Sequence, residues 1–237
     1  IDTGMHRLGF APADAAQAYR RLHALQNVDA DIGLMTHFAN SDVAEDEQTQ
    51  IQMQRFEDIA AKLPGARSLA NSAGVLEWPQ SRAQWVRPGG LLYGISVIAG
   101  SHAAQFGFRP AMTLASKLVA INRVGKGEAV GYAGDWICPE DMDIGVVQIG
   151  YGDGYPRSAP SGTPVLLNGR RAQIVGRVSM DLISIDLRGQ ADARVGDPVL
   201  LWGEGLPVEE IAAHAGTIGY ELVCGMTRRV RFLEDEG

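Results

Sequence analysis

GYGDGYPR, Gly150 to Arg157, follows a strand-like run, Ile144–Ile149, and decides how the chain around it is read. Glycines at every second position allow a tight loop, and they leave two tyrosines, an aspartate and an arginine as its only functional side chains. The loop lacks the Gly-Lys-Ser/Thr ending of a nucleotide phosphate loop, so that reading is set aside. A turn and a strand later, GRVSMD (Gly176 to Asp181) presents Arg177, Met180 and Asp181. Between the two tracts, Asn168-Gly169 predicts a hairpin turn joining strands at Pro164–Leu167 and Ala172–Val175.

Further strands are expected at Met112–Val124, Ile144–Gly150, Leu182–Leu187 and Pro198–Trp202. Strict alternation in LISIDL predicts a strand with Leu182, Ser184 and Asp186 on a solvated face. Pro207–Ala215 reads as a short helix with acidic residues in its first turn. Upstream the pattern is different. Pro12–Gln26 reads as a helix, with Pro12 suited to a first turn. Asp31–Phe38 reads as a strand, and Glu45–Leu63 as an amphipathic helix with Met53, Phe56, Ile59, Ala60 and Leu63 on one face, stopped by Pro64-Gly65. Arg67–Ala70 and Gly90–Tyr93 are further strand candidates. Strand and helix in alternation with short connections imply βα units and a parallel sheet. The fold class is therefore α/β plus all-β, divided near residue 108 into residues 1–108 and 109–237.

The chain has 237 residues, a formal net charge of −7 and 46% hydrophobic residues, values suited to packed cores and poorly suited to a nucleic-acid partner. No apolar run approaches the roughly 18 residues of a membrane span, and no signal-peptide pattern opens the chain, so a cytoplasmic protein is expected. Cys138 and Cys224 are too few for a disulfide framework or a zinc site, and no metal is expected.

The two central tracts, with IDTGMHRLGF at residues 1–10, THFANSD from Thr36, NSAG from Asn71, WVRPG from Trp85, VGYAGDW from Val130 and IGYELVCGMTRRVRF from Ile218, resemble alanine racemases in order and spacing. The resemblance covers the whole chain. It implies the C-terminal half of a (β/α)8 TIM-type barrel followed by a mostly β-stranded domain. It also implies pyridoxal 5'-phosphate as cofactor, L- and D-alanine as substrates, and a homodimer with shared active sites. A broader amino-acid racemase of the same fold, or a non-catalytic fragment serving as a dimerisation module, are the alternatives.

By the same resemblance, Ser72, Asn71, the backbone of Gly89 and Gly90, and Tyr220 bind the cofactor phosphate region. Gly90 stands where the family usually has a larger aliphatic residue. Arg87 faces the pyridine nitrogen, and His37 links Arg87 to the catalytic base Tyr132. Arg7 lies near the cofactor's phenolic oxygen and the substrate. Met180, with Tyr132, contacts the substrate, and Tyr151, Arg157, Asp181 and Ile218 line the entrance. The family's cofactor-bearing lysine falls upstream of Ile1. None of Lys62, Lys117 and Lys126 matches its context, so the 237 residues alone are expected not to racemize alanine.

Overall fold

A computed structural model describes residues 1–234 and divides the chain into two compact units: Ile1–Leu92 with Ser96–Ser101, and Tyr93–Ile95 with the residues from His102 on. In the first unit, helix α1 (Pro12–His23) precedes strand β1 (Leu34–Met35), helix α2 (Glu47–Ala60) and strand β2 (Arg67–Asn71). Helix α3 (Ser72–Glu77), strand β3 (Trp85–Arg87) and helix α4 (Gly89–Leu92) follow. The strands form a parallel sheet in the order β1-β2-β3, as the βα alternation predicted. Its core is Tyr19, Leu34, Phe38, Phe56, Ala60 and Leu69.

The expected strand over Asp31–Phe38 contracts to two residues. Leu34 and Thr36 donate to Ala66 and Ser68 carbonyls on one side, at 2.8 and 3.2 Å, and this single pairing sets the strand's length. The expected strand at Gly90–Tyr93 is a helix instead, and the strand lies earlier, at Trp85–Arg87. Pro88 explains the shift: it has no N–H to continue a ladder, yet it suits the entrance to a helical turn, where its carbonyl accepts from Leu92 at 3.2 Å. Helix α2 is present, but its fully buried face is Thr49, Gln52, Phe56 and Ala60, so two polar residues displace Met53 and Ile59 from the innermost positions.

The second unit is built on a closed antiparallel barrel. Its strands are β4 (Leu114–Val124), β7 (Met142–Val147), β8 (Pro164–Leu167), β9 (Arg170–Ile174), β10 (Ile183–Asp186) and β11 (Pro198–Trp202), in the order β10-β7-β4-β11-β8-β9. Pairing of Ile185 with Ile174 and of Asp186 with Gln173 closes it, which leaves no open sheet edge. A small hairpin, β5 (Ala129–Val130) with β6 (Trp136–Ile137), was not foreseen. Helices α5 (Val208–Ala215) and α6 (Gly219–Cys224) complete the unit. Asn168 and Gly169 both have positive φ, 50° and 77°, as their hairpin turn requires.

Strand β10 departs from the alternation argument at one residue. Asp186, assigned to a solvated face, is buried, and its carboxylate accepts from Arg188 Nε, from the Arg188 backbone N–H at 2.9 Å and from Gln173. Burial alone would raise its pKa, but these donors hold it below the ordinary carboxylate value. A carboxylate can therefore take an inward place, because the chain supplies a guanidinium two residues on.

Candidate active site

The C-terminal ends of the parallel strands gather the polar groups of the first unit. Asn71 ends β2 and caps α3, accepting from Gly74 N–H at 2.9 Å and from the Ser41 hydroxyl at 2.9 Å. Beside it Ser72 is buried, and its hydroxyl accepts from Gly90 N–H at 3.1 Å, joining the loop after β2 to the loop after β3. Neither contact depends on a side chain at position 90.

Arg87 is the last residue of β3, and its guanidinium is held from several sides. It donates to the Ser68 hydroxyl at 2.6 Å and to the carbonyls of Thr36 at 2.7 Å and Leu69 at 3.2 Å. It also stands 3.4 Å from His37 Nδ1. Burial lowers the His37 pKa, and the positive charges of Arg87 and Arg7 lower it further. A neutral imidazole beside a permanent cation is the result. Arg7 is exposed, in an N-terminal loop where the Asp2 carboxylate accepts the N–H groups of Gly4, Met5 and His6.

In the second unit, three loops form a continuous rim. Tyr132 sits at the tip of the β5–β6 hairpin, 68% exposed, in a turn where Ala133 has φ 63°. Asp135 in this hairpin pairs with Arg177, and Gly131 faces the backbone of Gly176 and Arg177. The Gly176–Asp181 tract is bound in turn to the GYGDGYPR loop: Tyr151 N–H donates to Ser179 O at 3.0 Å and Gly152 N–H to Met180 O at 2.9 Å. A Cβ at Gly150 would collide with the Ser179 and Met180 carbonyls, so the close approach needs glycine there. Met180 and Tyr151 present exposed side chains on this rim, and Ile218 and Tyr220 stand at the start of α6.

The structure thus brings His37 to Arg87, Ser72 to Gly90, and the Tyr151–Gly152 backbone to that of Ser179 and Met180. Asp181 pairs with Arg229, and Arg157 is exposed. Ser68, Arg229 and the pairing of Asp135 with Arg177 were not singled out from sequence, and Asp153 was noted only as the aspartate of the glycine loop. Arg229 lies in the tract GMTRRVRF, but a distance of 48 residues hides its proximity to Asp181. Lys62, Lys117 and Lys126 are all exposed.

The family model for the alanine racemase N-terminal domain matches residues 1–97, and the model for the C-terminal domain matches residues 111–233. This chain belongs to the alanine racemase family. It is 55% identical over 230 residues to the alanine racemase of Shewanella sp. (strain MR-7), covering 97% of this chain and 64% of that protein. It is 51% identical over 241 residues to the alanine racemase of Coxiella burnetii (strain CbuG_Q212), covering 100% of this chain and 66% of that protein. The crystal structure of the biosynthetic alanine racemase from Pseudomonas aeruginosa matches with a TM-score of 0.93 at 47% identity, over 97% of this chain and 64% of that one. The alanine racemase of Acinetobacter baumannii matches with a TM-score of 0.89 at 36% identity. The chain therefore has the alanine racemase fold and spans about 64% of the length of the first relatives it matches.

Proposed function

We propose that this chain forms most of a pyridoxal 5'-phosphate dependent alanine racemase that interconverts L- and D-alanine in the cytoplasm, supplying D-alanine for peptidoglycan or serving alanine catabolism. The observation that carries this reading is the Arg87–His37 pair, its guanidinium fixed by three further contacts, within a chain 55% identical to curated alanine racemases. In this proposal the parallel sheet is the C-terminal half of a (β/α)8 barrel, where ligands sit at the strands' C-terminal ends.

The residues fit the cofactor. Ser72, held against the Gly90 backbone, would bind the phosphate with Gly89, Gly90 and Tyr220, while Asn71 secures the loop from below. Arg87 would face the pyridine nitrogen, and its fixed positive charge would oppose protonation there. When bound, pyridoxal phosphate supplies electron withdrawal that acidifies the substrate Cα–H. Tyr132 would take or return the Cα proton on one face, with His37 and Arg87 linked behind it. Arg7 would lie beside the substrate. Met180 would meet the carboxylate through its main chain, and Tyr151, Arg157, Asp181 and Ile218 would line the entrance. Tyr132 and Met180 would come from the other subunit of a homodimer. All three lysines are exposed, so we assign none of them as cofactor anchor, and by this reading the 237 residues alone do not turn over.

The test supplies the intact protein with pyridoxal phosphate and L-alanine and follows D-alanine by chiral chromatography. Racemization to an equal mixture is expected, with alanine preferred over serine and lysine. No D-alanine from cofactor-loaded protein would overturn the reading, and faster turnover of serine or lysine would favour a broader racemase.

A further inference from the structure

The geometry points to Arg229 as a positioning residue that sets the Met180 main chain for its ligand. This inference rests on the proposed racemase reading and adds a residue to it. Arg229 reaches two carboxylates on two different loops. Its Nε lies 3.3 Å from Asp153 Oδ1, and its Nη2 pairs with Asp181 Oδ1. Asp153 is well placed to pass this restraint on, because its other oxygen accepts Gly150 N–H at 3.0 Å and so closes the GYGDGYPR loop on itself. Asp181 is the residue next to Met180 in the chain.

The surrounding backbone makes the same connection. Thr227 N–H donates to Asp153 O at 3.0 Å, and the Thr227 hydroxyl donates to Gly152 O at 2.9 Å. Gly152 N–H donates to Met180 O at 2.9 Å. The segment from Thr227 to Arg229 therefore holds the first loop, and the first loop holds Met180. A methyl at position 152 would strike the guanidinium, so the arginine lies directly over the backbone bond it braces. Two carboxylates and one guanidinium on hydrogen-bonded loops form a clamp, and a planar fork spans both carboxylates where an ammonium is a single point charge.

Arg229 touches no reacting atom in this scheme. Its loss should loosen the carboxylate-binding backbone and leave the proton-transfer groups in place. In the intact, cofactor-loaded protein, Arg229→Met should raise KM for both alanine enantiomers about tenfold with kcat within about threefold, the split expected when uniform binding is lost. Propionate, which is alanine without its amine, isolates the carboxylate contact, and its inhibition constant should rise in parallel. Arg229→Lys should fall between the two. Asp181→Ala breaks the same link from an exposed side chain and should reproduce the propionate effect should Arg229→Met fold poorly. Unchanged KM and propionate inhibition in a folded variant would overturn the clamp while leaving the racemase reading intact. A wild-type protein that racemizes nothing would overturn that reading first. A loss confined to melting temperature and active fraction would make Arg229 structural only.

Discussion

At the scale of single residues, the proposed reaction would depend on keeping His37 neutral beside Arg87. Its pKa lies below the ordinary 6.5 because burial opposes the charged form and two arginines repel it. Imidazole NMR on the intact protein should therefore show His37 titrating below 6.5, and Arg87→Gln should move the titration upward by removing the nearer charge. The sign for stability follows directly. The unfolded state takes up the proton first as pH falls, so the contribution of His37 is full above about 6.5 and is lost as pH falls through the folded value. Titration at or above 6.5 would place His37 outside the field of Arg87. Both residues stand in tracts picked out from the sequence, THFANSD and WVRPG, and the structure places them 3.4 Å apart. The Ser68 hydroxyl that holds Arg87 was not, because an isolated serine in a strand carries no local signal of its partner.

At the scale of elements, helix α2 shows how a polar side chain can organise the loop that carries His37. Gln52 is fully buried, and its amide oxygen accepts Ala39 N–H at 2.9 Å while its nitrogen donates to His37 O at 3.0 Å and to the Thr3 hydroxyl at 3.1 Å. The loop after β1 thus hangs on a helix that periodicity treats as a plain amphipathic stripe. Gln52→Leu keeps the volume but leaves buried donors and acceptors without partners, so it should cost about 2 kcal/mol or more in denaturant unfolding. It should also broaden the His37 resonance. A variant as stable as wild type would show that water replaces the lost partners. Helices α1, α2 and α5 and the strands Pro164–Leu167 and Pro198–Trp202 were readable because period and turn residues are local properties. Asp186 and the Gly90–Tyr93 segment were misread because their states are set by Arg188 and Pro88, which periodicity does not weigh.

At the scale of the whole molecule, the candidate residues fall in different units of the chain, Arg87 and His37 in the first and Tyr132 and Met180 in the second. Closure of the barrel could not be read from strand lengths, since it depends on the pairing of β9 with β10 across the ring. The division itself makes a sharp prediction for a homodimer with shared sites. Arg87→Ala and Tyr132→Phe should each abolish most racemization alone. When the two variant proteins are unfolded together and refolded, half of the dimers should be mixed. In a mixed dimer, the Tyr132→Phe subunit lends its intact Arg87, and its partner lends an intact Tyr132. One site is then wild type and the other carries both defects, so the mixture should recover about a quarter of wild-type activity. If Arg87 and Tyr132 served the same site from one chain, every site in the mixture would remain defective. No recovery, with mixed dimers demonstrated by differential tagging, would refute the shared site and leave each subunit to act by itself.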